Sequence, residues 1–131
     1  MNAPILLDTN VLIWILNNDS RLPRRIRKLT SAPSSDIHVS VVNAWEIVIR
    51  HRNGKLAFAV PLEDVLSRIL DGTIWPVLPV LPQHIEELAT LPALHRDPFD
   101  RILVAQAKVE KMALVTADSR LAGYDLPLLQ C

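Results

Sequence analysis

The stretch ILLDTNVLIWIL, residues 5–16, decides the fold class. Ile5 to Leu7 is a short aliphatic run of strand type, Asp8-Thr9-Asn10 breaks it as a turn, and Val11 to Leu16 reads as helix. The same strand-then-helix step returns downstream. Ile37 to Ser40 reads as a second strand, followed by a helix from about Val41 to Arg52 that stops near Asn53-Gly54, a fitting C-terminal cap. Towards the other end, Asp97-Pro98 starts a strong helix running to about Lys111. Met112 to Thr116 is then a continuous apolar run of strand length, as expected for a parallel strand covered on both faces.

The segments between these fill in an α/β pattern. Leu22 to Leu29 reads as a basic helix with Pro23 suited to its first turn, and Ala32-Pro33-Ser34-Ser35 as a loop. Leu62 to Leu70 is amphipathic and follows Pro61. Ile74 to Leu81 carries Pro76 and Pro79, which cannot donate to a sheet ladder, so it reads as an edge strand or an extended segment. Pro82 opens a short helix through Leu88, Leu91 to Arg96 is a loop, and the end holds a turn or helix near Leu121 and a last strand at Leu126 to Leu129. Such alternation implies a central, mostly parallel sheet of four to five strands flanked by helices. The 131 residues, half of them hydrophobic, suit one domain over residues 1–131, with no repeat or dividing linker.

Composition removes several function classes. Lysine and arginine total 14 and so do aspartate and glutamate, so no bulk polyanion binder is indicated. Residues 1–56 hold eight basic and four acidic side chains, and residues 57–131 six basic and ten acidic, giving +4 and −4. Any nucleic-acid surface is therefore local. Cys131 is the only cysteine, so a disulfide within the chain and a cysteine-built zinc site are excluded. Only Gly54, Gly72 and Gly123 are glycines, which rules out a P-loop and a GxGxxG dinucleotide fingerprint. Val11 to Leu16 is too short to span a bilayer, and Asp8 falls where a signal peptide needs an unbroken apolar stretch. A cytoplasmic location without membrane attachment is expected.

The carboxylates carry the chemistry. In a doubly wound sheet, ligands bind beyond the carboxyl ends of the strands. Asp8 and Asp118 then sit at two strand ends, and Glu46 and Asp100 in the first turns of helices rising from the same edge. Each acid also has a plain structural reading. Asp8 can be a turn residue or N-cap, and Asp118 the cap of a short helix. Glu46 falls on a helical stripe with Asn43, Arg50 and Asn53, and can form an i,i+4 pair with Arg50. Asp97-Pro98-Phe99-Asp100 makes a helix start with Asp97 as N-cap and Asp100 facing the positive end of the dipole. These readings do not explain a convergence on one edge, where repulsion needs a cation to neutralise it. Oxygen ligands without cysteine or HExxH point to Mg²⁺ or Mn²⁺, ions that promote phosphodiester hydrolysis.

Four blocks resemble a known family. LLDTNVLIWIL, SVVNAWEIVIRHRNGKL, HRDPFDRILVAQA, and LVTADSRL followed by Tyr124 are similar, in order and along the whole chain, to the PIN-domain ribonucleases, in particular the VapC-type toxins of bacterial toxin-antitoxin pairs. The resemblance implies a PIN-like nuclease domain that cleaves RNA with metal-activated water. It makes Asp8 a first metal ligand and Glu46, Asp100 and Asp118 the second, third and fourth acids. Asp97 is a cap, an outer acid or an extra ligand, and Asn10 and Thr116 are polar residues that orient ligands or water. The resemblance also implies a homodimer and a cognate antitoxin that fills the acidic groove.

Arg50, Arg52, Lys55, Arg96 and Arg101 are candidates for RNA phosphate contacts, beside a reading as solubilising surface. The segment from Arg21 to Lys28, with five basic residues in eight, either lines the RNA path or solvates a helix. Aromatic residues are too few to propose a base-stacking platform. His38, His51, His84 and His95 have no metal-ligand spacing and read as structural or surface groups. Two rivals stand against the nuclease. Asp8-Thr9-Asn10-Val11 nearly matches the DxDx signature of haloacid-dehalogenase-like phosphatases, but Asn10 replaces the acid that protonates the leaving group. The other is a non-catalytic PIN domain that binds RNA or protein, against which four intact acids argue.

Overall fold

A computed structural model describes residues 3–94 and 96–131. Strands β1 (Pro4–Leu7), β2 (Asp36–Ser40), β3 (Val77–Leu78), β4 (Ala113–Thr116) and β5 (Leu128–Gln130) form one sheet in the order β3-β2-β1-β4-β5. All four neighbouring pairs are parallel. Helices α1 (Thr9–Leu16), α2 (Arg24–Ser31), α3 (Val41–Arg52), α4 (Leu62–Leu70), α5 (Pro82–Thr90) and α6 (Pro98–Glu110) flank it, with a 3₁₀ turn at Ser119–Gly123. The chain builds outward from β1 through β2 to β3, then returns to lay β4 on the other side of β1. That reversal opens a crevice between the carboxyl ends of β1 and β4, the place where doubly wound sheets bind ligands.

β1 is apolar throughout, and β4 is apolar up to Thr116, because both faces are covered. Ile5, Leu7, Ile37, Val39 and Val115 face one core with Val11 and Leu12 of α1, Ile26 of α2, Ile47 of α3 and Val65 of α4. Leu6 and Leu114 face the other, with Val42, Leu103, Val104 and Leu121. Leu6, Leu7, Leu114 and Val115 are wholly inaccessible, and each such side chain contributes roughly 1.5–3 kcal/mol.

Local chemistry explains where element ends depart from sequence expectation. Helix α1 begins at Thr9 rather than after Asn10, because the Asp8 carboxylate accepts the Thr9 amide hydrogen at 2.6 Å. Only Val77–Leu78 of the segment 74–81 pairs, bracketed by Pro76 and Pro79. β5 is shifted to Leu128–Gln130, since Leu126 donates to Tyr124 in a turn and Pro127 has only its carbonyl, which Leu114 uses at 3.0 Å. Helix α6 ends as Lys111 turns left-handed at φ 57°, which lets Met112 donate to the Ala107 carbonyl at 2.8 Å and start β4. Among the described residues no helix is long and apolar enough to cross a membrane.

Candidate active site

Asp8 stands at the end of β1, 3% exposed. Its Oδ1 caps α1 through Thr9, and its Oδ2 accepts the Thr116 hydroxyl hydrogen at 2.6 Å. The Thr116 oxygen in turn accepts from the Asp118 amide at 3.0 Å, so one hydroxyl at the end of β4 ties the two strand-end acids together. Burial pushes the Asp8 carboxyl above the usual range, against the opposing pull of the bonds from Thr116 and Thr9. Asp118 caps the 3₁₀ turn through Arg120, whose guanidinium also grips both carboxylate oxygens at 3.0 and 2.9 Å. The structural readings of Asp8 and Asp118 as caps are thus correct, and both acids nonetheless lie on the crevice.

Asp97 is the N-cap of α6, accepting from Phe99 at 2.9 Å and Asp100 at 3.4 Å. That turn of helix carries Asp100, 8% exposed, towards the other acids. Burial pushes Asp100 up to about 8, with further upward pressure from the charges of Asp8, Asp97, Glu46 and Asp118 in that order. Glu46 sits in the second turn of α3, not the first as expected from sequence. Burial raises its carboxyl too; the adjacent Thr9 hydroxyl and Arg50 oppose this, and Asp8 and Asp97 reinforce it. Glu46 Oε1 is buried without a hydrogen-bond partner. The other four acids thus lie within electrostatic reach of Asp100, although among the described residues no three potential ligands are drawn together as a finished cation cage.

A buried, orphaned carboxylate oxygen beside a carboxyl pushed upward by burial and by its acidic neighbours is the donor set a hard divalent cation would relieve. Asp8, Glu46, Asp100 and Asp118 offer it oxygen atoms. Arg50 spans the rim, donating to Asn10 Oδ1 at 2.8 Å and standing 3.8 Å from Glu46. An open groove of about 380 Å³ runs past Glu46, Asp97 and Phe99 to Asn10, Arg50 and Lys55. Arg52 and Arg96 are exposed. Arg101 is half-buried and directed at the Leu91 carbonyl. The cations of the segment from Arg21 to Lys28 divide: Arg21, bonded to Asp19 at 2.7 Å, borders a second groove shared with Arg50 and Lys55, whereas Arg25 and Lys28 line a separate groove with Ile5, Ala113 and Leu129, and Arg25 also donates to the Gln130 carbonyl.

Sequence reasoning missed a buried polar chain leading away from the acids. Asn43 belongs to no solvated stripe: it is inaccessible, donates to Thr9 Oγ1 at 3.0 Å and to the Leu7 carbonyl at 3.2 Å, and accepts from the Ser40 amide at 2.7 Å. The Ser40 hydroxyl donates to Gln106 Oε1 at 2.7 Å, and Gln106 Nε2 donates to the Pro79 carbonyl at 3.1 Å. Gln106 also abuts His84, whose Nδ1 accepts from the Leu81 amide at 2.9 Å and whose Nε2 faces Glu110 at 2.7 Å. His84 is therefore structural, as its lack of ligand spacing implied. His38 pairs with Asp36 at 2.8 Å, and His51 is half-buried on α3. His95 lies outside the described residues.

Comparisons with known proteins agree with this fold. No curated protein sequence matches the chain. Among solved structures it is similar to a chain of VapBC2 from Rickettsia felis bound to a DNA fragment from their promoter, with TM-score 0.70, 15% identity, and coverage of 100% of this chain and 99% of that one. It is also similar to a chain of a toxin-antitoxin complex from Klebsiella pneumoniae, with TM-score 0.64, 18% identity and 96% of each chain covered. A third likeness is to DNA-bound VapBC from Salmonella typhimurium, with TM-score 0.66, 15% identity and 98% of each chain covered. At these identities the likeness is one of fold. The sequence itself goes further, because the profile of the PIN domain matches residues 5–126, from β1 to the turn before β5, and takes in every acid of the crevice. The chain belongs to the PIN domain family.

Proposed function

We propose that this protein is a divalent-metal-dependent ribonuclease, acting in the cytoplasm as the toxin of a toxin-antitoxin pair. The observation that carries this reading is the crevice between β1 and β4, where burial and mutual repulsion push Asp100 to about 8 while Glu46 Oε1 has no partner. Asp8, Glu46, Asp100 and Asp118 would hold Mg²⁺ or Mn²⁺, with Asp97 fixing the start of α6 and assisting from its edge. A bound ion of this type supplies Lewis acidity towards the phosphodiester and an activated water. Thr116 holds Asp8 and the Asp118 backbone in register. Asn10 steers Arg50, which with Lys55 forms the wall of the groove for the RNA backbone, and Arg52, Arg96 and Arg101 are more distant phosphate contacts.

The solved structures that share this fold include a toxin-antitoxin complex, which supports a cognate antitoxin partner here; a homodimeric toxin is part of the same proposal. The phosphatase alternative is disfavoured by Asn10, which is exposed, bonded to Arg50 and unable to supply the acid that reaction needs. Cleavage of RNA by the purified chain with Mg²⁺ or Mn²⁺, its arrest by EDTA, and its loss in Asp8→Asn and Asp100→Asn test the assignment. Full activity in either variant would remove that residue from the site. A neighbouring reading frame whose small product co-purifies and inhibits tests the toxin label independently.

A further inference from the structure

Composition argued against a stacking platform, but the fold places two of the few aromatic rings together beside the acids. Trp45 immediately precedes Glu46 on α3, and Phe99 immediately precedes Asp100 on α6. Their ring centroids are 5.0 Å apart at 89°, an edge-to-face pair. Phe99 packs against the core beneath α6 and lines the groove that holds Glu46, Arg50 and Lys55. Trp45 belongs to neither core and is 59% exposed. We propose that the Trp45–Phe99 pair is a subsite for an unpaired nucleobase of the RNA next to the bond that is cut, an inference that rests on the ribonuclease reading.

The groove asks for one occupant with three properties. Its acids call for a cation-bridged oxyanion, its Arg50 and Lys55 for further negative charge, and the exposed Trp45 indole, set against Phe99 of its wall, for a flat apolar surface. Single-stranded RNA offers phosphates and bases at a regular repeat and meets all three. An apolar protein segment answers only the indole, and an acidic peptide only the cations. An edge-to-face pair leaves ring face free for stacking, and anchoring through Phe99 means that little ordering is needed when a base arrives. Stacking tolerates any base, so the subsite demands a base at one nucleotide position without selecting which.

The experiment uses the full chain with Mg²⁺ and a short single-stranded RNA copying a cut site mapped by sequencing RNA ends. Each base in turn is replaced by an abasic ribose. Trp45→Ala should raise KM about tenfold or more with kcat little changed, while Trp45→Phe retains most of the affinity. In the wild type one abasic position beside the cut should impose a comparable loss, and in Trp45→Ala that same position should cost nothing further. An unmoved KM in Trp45→Ala, or fully additive losses, overturns the platform while leaving the ribonuclease reading intact. Retained RNA affinity with loss of the co-purifying antitoxin also overturns it, and assigns the rings to a protein contact. A wild-type chain that cuts no RNA removes the underlying reading, and the platform with it.

Discussion

The acids around Asp100 and the polar chain from Asn43 to Glu110 begin at the same residue, Thr9, and are built at similar depth. They differ in how their polarity is met. In the chain, each inaccessible group has a partner of opposite hydrogen-bonding sense: Asn43 with Thr9 and Ser40, Ser40 with Gln106, Gln106 with Pro79 and His84. Around Asp100, four carboxylates add to burial in raising its affinity for protons, and an oxygen of Glu46 goes unbonded. Satisfied buried polarity fixes a fold, whereas clustered like charge is retained at a cost and marks a candidate ligand site.

The sharpest test of that division is neutralisation on the charged side. Asp100→Asn should reduce Mg²⁺-dependent RNA cleavage by about a hundredfold or more, since a proposed ligand is lost. The same change should stabilise the metal-free protein, raising its melting temperature at pH 8 by about 3 °C or more as repulsion is relieved. A drop in melting temperature would place Asp100 among the structural groups and break the comparison.

On the other side the sign reverses. Gln106→Leu keeps similar volume but leaves the Ser40 hydroxyl and the Pro79 carbonyl without their partner, at an expected cost of about 2–4 kcal/mol. Chemical denaturation should show a lower midpoint with an unchanged slope. A neutral result would mean that the chain tolerates an apolar interior and does not specify the packing of α6 on α3.

The pH dependence sharpens the contrast. Asp100 moves from an ordinary value of 3.8 to about 8 on folding, so its contribution to stability is fully present below about pH 4 and is lost as pH rises through 8. Thermal melts of the EDTA-treated protein should fall between pH 5 and about pH 8.5, and Asp100→Asn should flatten that decline. Added Mg²⁺ needs the charged carboxylates, so its stabilising effect should grow over the same interval. Metal stabilisation that weakens as pH rises would contradict the assigned ligands.

Much of this was legible in the residues. The apolar runs Ile5–Leu7 and Met112–Thr116 announce doubly covered strands, and Asp8 follows the first directly while Asp118 lies one residue past the second, so two acids could be put on one edge from the sequence. The polar chain was not legible, because Ser40 meets Gln106 across 66 positions and neither residue carries a local signal. Asn43 was misread since helical spacing groups it with Glu46 and Arg50, whereas the first turn of α3 lies over the end of β1 and turns that side chain to the Leu7 carbonyl. Trp45 and Phe99 were discounted on number, and number says nothing about adjacency across two helices.

The smallest expected effect lies at the far end of the chain. His84 Nδ1 accepts the Leu81 amide hydrogen, so its proton sits on Nε2 and points at Glu110 Oε2, 2.7 Å away. In Glu110→Gln the amide oxygen accepts the same hydrogen. Only the charge is lost, from a side chain that is 29% exposed and partly screened. The cost should be about 0.5–1.5 kcal/mol, read as a melting temperature lower by a few degrees. Cleavage rate and Mg²⁺ requirement should not change, because the Gln106 amide between His84 and Ser40 orients its neighbours and has no titratable proton to relay. A fall in cleavage comparable to that of Asp100→Asn would show that the acids and the polar chain form one electrostatic unit from Glu46 to Glu110, and the distinction between satisfied scaffold and unsatisfied site would have to be abandoned.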